Sequence, residues 1–206
     1  MARYTGPKNR IARRFGANVF GKARNPMAHK PNPPGQHGAK RKKKSDYGVQ
    51  LEEKQKLRAC YGMLPHKMLV RYFRESLREG GNTQGNFIQK LECRLDTVVY
   101  RLKFALSPFH AQQLVSHGHI EVDGKKVDIR SFQVKPGMRI TIREKAKSNA
   151  LVKQALDRSA IDVPEYLSLD APKLSGELIS VPHADQIPLP LPVNVAVVCE
   201  FLAHTS

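Results

Sequence analysis

The middle of the chain carries apolar residues with a helical period. They are separated by three, four, three and four positions, at Ile88, Leu91, Leu95, Val98 and Leu102. This is the spacing of one face of an α-helix, so the pattern predicts a helix through this stretch. At about 100° per residue, Arg94 and Arg101 fall on one edge of that face, where two arginines two turns apart suit the phosphates of a nucleic-acid backbone. A solvated helix flank is the alternative.

Two helices are predicted upstream. Ser45-Asp46 forms an N-cap signature before a charged helix that ends near Tyr61-Gly62. Pro65 begins a second helix at a position where its missing N–H costs nothing, and Gly80-Gly81 ends it. We expect both helices to form a core and to present basic outer faces.

A further helix begins at Ser107-Pro108 and has two different sides. The apolar side consists of Ala111, Leu114 and Val115. The polar side, whose members lie within about 60° of one another, consists of His110, Gln113 and His117. We expect the apolar side to pack against the preceding helix and the polar side to face a partner.

Strand patterns follow this helix. Asp123-Gly124, the strongest short hairpin signal, is flanked by the segments 120–122 and 125–127. Residues 138–142 supply a further strand after the turn at 135–137. The pattern predicts helices leading into a small antiparallel sheet, and hence an α+β fold.

The last quarter of the chain is less regular. Residues 145–159 have the pattern of a helix, and beyond Pro164 the chain is proline-rich. At 194–202 the periodicity allows either a helix capped by Asn194 or a strand.

Charge is unevenly distributed along the 206 residues. Lys and Arg number 35 against 18 Asp and Glu, a net charge of +17, and residues 1–50 carry 13 basic residues against one acidic residue. Such an excess repels itself unless a polyanion neutralises it, which makes nucleic acid the leading partner class and an anionic membrane the next. The sequence shows neither the apolar core of a signal peptide nor the ~20 apolar residues of a membrane span. We therefore expect a cytoplasmic protein without a membrane partner.

Residues 1–45 form a basic arm. Apolar residues are scarce, Gly and Pro recur, and five consecutive cations at 40–44 close the segment. Such a segment buries too little apolar area to offset the entropy of ordering it, so we expect a flexible arm. One short helix is predicted over Asn9–Phe15, where three arginines would share a face.

Signatures of an enzyme or a metal site fail in this sequence. The segment 118–126 resembles a phosphate loop, but five residues separate its glycines instead of four and no Ser or Thr follows the lysine. His110 and His117 would lie about 10.5 Å apart along a helix, too far to share one ion. The three cysteines lack CxxC spacing, which favours isolated buried thiols. We expect no catalysis, metal, cofactor or small-molecule substrate.

The remaining chemistry is that of RNA recognition. Arginines suit phosphates, whereas His, Gln and Ser side chains can meet sugar hydroxyls and base edges. The basic Lys125-Lys126 pair can lie on a backbone. Aromatic residues make up only 7% of the chain, so stacking on single-stranded bases is not the main device. Recognition of the shape and backbone of folded RNA fits better.

Residues 94–143 resemble a known RNA-binding module. The match begins at RLDTVVYRL (94–102) and continues through AQQLVSHGHI (111–120) and VDGKKV (122–127). The module alone is ambiguous, because it is also appended to pseudouridine synthases and to some tRNA synthetases.

The residues outside this module resolve the ambiguity. They are MARY (1–4), PGQHG (34–38), SDYGVQL (45–51), EKQK (53–56) and LPVN (191–194). With them, nearly the whole chain resembles the bacterial-type family of the fourth protein of the small ribosomal subunit.

The resemblance implies a structural constituent of the small subunit. Members bind the five-way junction of the 5′ domain of small-subunit ribosomal RNA early and so nucleate assembly of the body. They lie beside the fifth small-subunit protein, at an interface that affects decoding accuracy, and near messenger RNA where it enters the subunit. Some members bind zinc through four cysteines in the arm, but residues 1–59 contain none here, so the zinc role is not implied.

The resemblance also implies an organisation into segments. A helical domain at 46–93, completed by about 175–206, is interrupted by the RNA-binding module at 94–157 and preceded by the arm at 1–45. The segment 158–206 is expected to return to the helical domain.

The candidate RNA-binding residues are the basic and polar residues of the arm, of the start of the helical domain, and of the polar sides of the module. They are Arg3, Lys8, Arg10, Arg13, Arg14, Lys22, Gln36, His37, Lys40, Arg41, Lys42, Lys43, Lys44, Ser45, Tyr47, Arg94, Arg101, Ser107, His110, Gln113, His117, Lys125 and Lys126.

Two other function classes remain as alternatives. An RNA-modifying enzyme that uses the module as an accessory would need a catalytic domain, and the roughly 60 residues after position 147 are too few for one. A helix-turn-helix DNA-binding regulator would explain paired helices at 94–104 and 108–117. It predicts comparable affinity for B-form DNA.

Overall fold

The computed structural model describes residues 4–22, 24–40, 43–157 and 162–205. It divides into two units, one formed by the chain up to Phe87 together with the part from Leu189 onward, the other by Ile88–Pro188. Within the described residues the first unit is helical, whereas the second combines helices with a sheet. The predicted α+β fold is confirmed.

The described residues form ten α-helices, one short 3-10 helix (Ala184–Gln186) and five strands. The helices are α1 (Lys8–Phe15), α2 (Pro26–His29), α3 (Asp46–Cys60), α4 (His66–Glu79), α5 (Thr83–Glu92), α6 (Leu95–Arg101), α7 (Pro108–Ser116), α8 (Glu144–Lys147), α9 (Ala150–Asp157) and α10 (Val195–Thr205). The strands are β1 (Ile120–Val122), β2 (Lys125–Lys126), β3 (Arg139–Ile142), β4 (Leu167–Asp170) and β5 (Ser175–Leu178). None of the described helices is long and apolar enough to cross a membrane.

The predicted helix caps are confirmed. The Ser45 hydroxyl accepts a hydrogen bond from the Gly48 N–H at 3.3 Å and so begins α3. The Ser107 hydroxyl likewise accepts from the His110 N–H at 3.3 Å. Asn194 caps α10, so the segment that periodicity left open is a helix. Each cap satisfies one of the N–H groups that a helix start leaves without an internal partner.

The arm has more order than its composition predicts. Helix α1 covers the predicted stretch, and Ala12, Val19 and Phe20 are each at most 2% exposed. The guanidinium group of Arg13 donates hydrogen bonds to the backbone carbonyls of residues 30, 32 and 33. Because one side chain satisfies three carbonyls of the following loop, this part of the arm closes on itself.

The predicted helix through 88–102 is interrupted. Helix α5 ends at Glu92 and α6 begins at Leu95, with Arg94 in an extended conformation between them. Arg94 forms an antiparallel bridge with Gln133, and the Leu95 N–H donates to the Phe132 carbonyl at 2.9 Å. The prediction of an unbroken helix was wrong because the backbone at 93–95 pairs with the loop at 132–134.

The five strands form one antiparallel sheet in the order β2-β1-β3-β5-β4. The predicted hairpin is confirmed: Asp123 (φ 49°) and Gly124 (φ 75°) both adopt the positive φ of a type I′ turn. A Cβ atom at Gly176 of β5 would lie 2.5 Å from Leu102 Cδ2. A glycine is therefore required where the end of α6 meets the sheet.

The segment after 157 differs from its prediction. Strands β4 and β5 extend the sheet of the second unit, so the described residues between 162 and 188 belong with the module, and the first unit resumes at Leu189. The placement of all of 158–206 with the helical domain was wrong, because these short strands form through pairing with β3 and with each other. The helix predicted over 145–159 is also divided, since Asn149 caps a new helix at Ala150, and its last two positions lie outside the described residues.

The core of the second unit joins its helices to the sheet. The apolar side of α7 and the apolar stripe of α6 lie in one buried cluster, together with Ile120 of β1 and Ile140 of β3. Leu114 is 2% exposed, and Leu95 and Val115 are fully buried. The predicted packing of α7 against α6 is confirmed, and it fixes the side of α7 that remains available to a partner.

Candidate nucleic-acid interface

Arg94 and Arg101 belong to the core of the second unit and not to its surface. Arg94 is 4% exposed and donates to both carboxylate oxygens of Asp96, at 3.0 and 2.8 Å. Arg101 is 5% exposed and donates to Glu92 at 2.5 Å and to the Pro188 carbonyl at 2.7 Å. Their prediction as phosphate contacts was wrong, because the fold supplies a buried acid to each guanidinium group.

Glu92 anchors a larger buried network. Its carboxylate also accepts a hydrogen bond from the hydroxyl of Tyr166 at 2.8 Å. Burial, and then the neighbouring negative charge of Glu92, raise the pKa of Tyr166, so this hydroxyl keeps its proton. The network holds α5, α6 and the segment before β4 together.

The polar side of α7 faces outward. Gln113 and His117 are exposed, whereas His110 is half-buried. His110 Nδ1 accepts a hydrogen bond from the Leu106 N–H at 3.3 Å, and burial lowers the pKa of His110 below its ordinary value of 6.5. A neutral ring that accepts through Nδ1 carries its proton on Nε2. His110 therefore offers one N–H donor of fixed position.

The basic hairpin lies beside the end of this helix. Lys125 and Lys126 are exposed, and the side chain of Lys126 crosses Gly118, where a Cβ atom would lie 2.2 Å from Lys126 Cε. Gly118 has a φ of 68°, which a glycine adopts without strain. The positive φ therefore favours a glycine at the end of α7, and the Lys126 side chain packs beside it.

The predicted arm residues fall into exposed and internally bonded groups. Arg10 and Arg14 are exposed on α1, and the Arg14 guanidinium carbon lies 5.9 Å from the centre of the Phe15 ring. Arg13 is bonded to the loop carbonyls described above, and the Lys22 ammonium group donates to Asn9 at 2.7 Å. Lys8 is half-buried. Arg10 and Arg14 are thus the arginines of α1 that face solvent.

The loop after α2 presents further polar groups. Gln36 and His37 are exposed in a turn where a Cβ atom at Gly38 would lie 2.0 Å from the Pro33 carbonyl oxygen. The glycine therefore allows the close backbone approach that projects both side chains. Lys40 and Lys43 are exposed. Arg3, Arg41 and Lys42 lie outside the described residues.

Three predicted residues near the start of α3 also serve the fold. Lys44 forms an ion pair with Glu52, and the Ser45 hydroxyl caps the helix. The ring of Tyr47 is 60% exposed and lies 5.5 Å from that of Phe201. Ser107 has a capping role in the module like that of Ser45. Hydroxyl groups that accept at a cap can still donate to a ligand.

Helix α4 carries a basic face that the sequence analysis did not include among the candidate residues. Its exposed cations are Lys67, Arg71, Arg74 and Arg78. They are separated by four, three and four positions, which places them on one side of the helix. The same spacing rule, applied to charged instead of apolar residues, identifies them.

The described residues contain no group of three or more His, Cys, Asp or Glu side chains arranged to hold a metal ion. Cys60, Cys93 and Cys199 are buried, and burial raises the pKa of Cys93 and of Cys199 to about 11. Such thiols are protonated at neutral pH and therefore poor metal ligands.

The outward polar side of α7 and the basic hairpin, held on a packed α+β module, are typical of the class of RNA-binding proteins. Residues 93–140 match the family model of the S4 domain, and residues 3–92 match that of the ribosomal protein S4/S9 N-terminal domain. The chain is 61% identical to small ribosomal subunit protein uS4 of Protochlamydia amoebophila over the full length of both chains. It is also 61% identical to the protein of that name from Chlamydia trachomatis serovar L2 and 58% identical to that from Chlamydia pneumoniae, again over full lengths.

The chain belongs to the uS4 family of small ribosomal subunit proteins. It is a structural constituent of the ribosome and not an enzyme, and it acts in the cytoplasm with ribosomal RNA as its partner. Membership in this family favours the ribosomal role over both alternatives, the accessory module of an RNA-modifying enzyme and the DNA-binding regulator. The resemblance found in the sequence is confirmed.

Proposed function

We propose that this chain binds the five-way junction of the 5′ domain of small-subunit ribosomal RNA early in assembly and nucleates the body of the subunit. The observation that carries the proposal is the two-sided helix α7. Its apolar side is locked in the core, while Gln113 and His117 face solvent beside the basic hairpin. A rigid polar surface of this kind can match a folded RNA without rearranging.

Recognition in the module combines charge with hydrogen bonding. Lys125 and Lys126 supply positive charge to phosphates, whereas Gln113 and His117 supply groups suited to sugar hydroxyls and base edges. The Nε2–H of His110 adds a fixed donor. Arg94 and Arg101 contribute by holding the helices in place and do not touch the RNA.

The arm supplies the less specific part of the affinity. Its exposed cations include Arg10, Arg14, Lys40 and Lys43, and a polyanion removes the mutual repulsion of such a segment. We infer that the arm holds the protein on the phosphate backbone, while the module determines the position and orientation of the protein on the RNA.

A filter-binding titration with junction RNA tests the proposal. If roughly ten phosphates are neutralised, affinity falls by several orders of magnitude between about 50 and about 200 mM salt. A B-form DNA duplex of equal length is the competitor and binds far more weakly. A salt slope near zero, or equal affinity for the DNA, would contradict the proposal.

We further propose that the chain lies beside the fifth small-subunit protein and near messenger RNA where it enters the subunit, and that it contributes to translational accuracy. Membership in the uS4 family supports this assignment. Chemical cross-linking of assembled subunits tests it, with cross-links expected to both neighbours. Subunits in which the chain cross-links to neither would refute these positions.

A further inference from the structure

The outer face of helix α4 is rich in exposed cations. On α3, by comparison, the ammonium group of Lys56 is neutralised by the carboxylate of Glu53, with Nζ and Oε1 2.6 Å apart. On α4, Arg71 pairs with Glu75 at 2.8 Å. Among the described residues, Lys67, Arg74 and Arg78 have no acidic partner. Three exposed cations on one face are therefore left with their full charge.

This face borders a shallow recess that is open to solvent. The four cations, with Glu75 and Thr205 near the end of α10, line a cavity of about 610 Å³ in the first unit. A solvated helix face presents its side chains on a convex surface. A recess bordered by unneutralised cations favours a bound polyanion instead.

The length and charge of this face match those of a nucleic-acid strand. Lys67 and Arg78 are eleven residues apart, about 16 Å along the helix axis. At the phosphate spacing of a B-form DNA strand, roughly five phosphates span that distance, and an RNA duplex strand is at least as densely charged. Three unpaired cations, with Arg71 between them, are spread over several phosphates of such a strand, whereas one small anion would engage a single pair.

The lining also indicates which part of the nucleic acid is contacted. Among the described residues, the lining has no ring on which a base could stack apart from His66 at one end, and Val70 is its one large apolar side chain. Stacking is the main device for holding unpaired bases. The burial of His66, together with the charges of Lys54 and Arg58, lowers its pKa, which is consistent with a positive potential at the start of the helix.

We propose that the basic face of α4 is a second RNA-binding surface, which grips the phosphate backbone of an RNA duplex without regard to its sequence. The proposal rests on the RNA-binding function inferred above and assigns a surface distinct from the module and the arm. The occupant is a duplex because the face offers cations in a row and no stacking platform.

The test compares two double variants of the full chain that remove the same charge. Arg74→Ala/Arg78→Ala changes the α4 face, and Lys135→Ala/Lys153→Ala removes two exposed cations of the second unit that belong to no proposed surface. All four residues are exposed, so both variants are expected to unfold at the wild-type temperature. The probes are the junction RNA and an RNA duplex of arbitrary sequence.

The α4 variant is expected to bind both RNAs roughly tenfold more weakly at about 100 mM salt. Its salt slope should fall by nearly two, since each lost phosphate contact removes about 0.9. The control variant should retain wild-type affinity and slope. A loss confined to the junction RNA would indicate sequence-specific contact and overturn the backbone assignment.

Two further outcomes separate this inference from the proposed function. If wild-type protein binds junction RNA with a steep salt slope and both variants match it, the α4 surface is refuted and the proposed function stands. If the wild-type protein does not bind the junction RNA, both the proposed function and the α4 surface are refuted. An α4 variant that binds RNA normally but fails to join reconstituted subunits would assign the face to an acidic protein and overturn the proposal.

Discussion

Helices α4 and α6 both carry cations at helical spacing beside an apolar stripe, yet the two sets lie in opposite environments. Arg74 and Arg78 of α4 are exposed. Arg101 of α6, and Arg94 immediately before that helix, are at most 5% exposed. The spacing of basic residues therefore identifies a face of a helix without determining whether that face meets solvent.

The difference lies in the acids that the fold brings to each helix. Glu92, which is 1% exposed, meets Arg101, and Asp96 binds Arg94 through both its oxygens. An unpaired charge cannot be buried without a penalty of several kcal/mol, so a buried arginine requires such a partner. On α4 Glu75 pairs with Arg71, while Arg74 and Arg78 remain exposed.

Replacing one arginine on each helix gives the largest expected contrast. Arg101→Ala leaves the buried carboxylate of Glu92 without its cation and should lower the free energy of unfolding by about 3–5 kcal/mol. Arg71→Ala removes an arginine–glutamate ion pair from an exposed face and should lower the free energy of unfolding by less than about 1 kcal/mol. Urea denaturation of both variants measures the difference. Equal losses would show that the two pairs do not differ in environment as the structure indicates.

Leucines on α7 and α4 extend the same contrast to apolar side chains. Leu114 is 2% exposed and packs in the core with α6. Leu114→Ala should therefore leave a cavity and lower the free energy of unfolding by about 2–5 kcal/mol. Leu77 of α4 is 53% exposed, and Leu77→Ala should change stability by about 0.5 kcal/mol or less. Thermal unfolding checks both. A small loss for Leu114→Ala would mean that the two sides of α7 are assigned backwards.

Much of the fold could be predicted because local signals were strong. The caps at Ser45 and Ser107, the Asp123-Gly124 turn and the apolar side of α7 each depend on residues close in sequence. Those features have the predicted form. Local chemistry decided them, and distant parts of the chain did not overrule it.

The errors arose where distant segments pair. The break at Arg94 depends on a backbone bridge to Gln133. The burial of Arg101 depends on the Pro188 carbonyl and on Glu92, whose carboxylate also accepts a hydrogen bond from Tyr166. No periodicity within 88–102 contains that information. Strands β4 and β5 were missed for the same reason, since each is four residues long and becomes a strand through its neighbours.

The outward side of α7 should affect binding and leave stability unchanged. Gln113→Ala/His117→Ala removes two exposed side chains, each expected to change stability by less than about 0.5 kcal/mol. Loss of their hydrogen bonds should weaken binding to junction RNA roughly tenfold. Gln154→Ala, at an exposed site on α9, is the control and should bind like the wild type. Unchanged affinity in the double variant would remove this side of α7 from the RNA-binding surface.

The smallest expected effect separates two histidines, one beside each of the compared regions. Burial alone lowers the pKa of His110, whereas for His66 at the start of α4 burial acts first and the charges of Lys54 and Arg58 add to it. A lowered folded pKa means that each ring stabilises the fold when neutral, above the ordinary value of 6.5, and that this stabilisation is lost as the pH falls through the folded pKa.

Salt screens charges between side chains more than it alters burial, and the screening length falls from about 30 Å at 0.01 M to about 3 Å at 1 M. NMR titration of the imidazole signals should therefore show both midpoints below 6.5 at low salt. At high salt the midpoint of His66 should move towards 6.5 while that of His110 stays in place, with His66→Gln used to assign the signals. A His110 midpoint at or above 6.5, or one that shifts with salt as much as that of His66, would show that burial does not hold this ring neutral beside the RNA-binding side of α7.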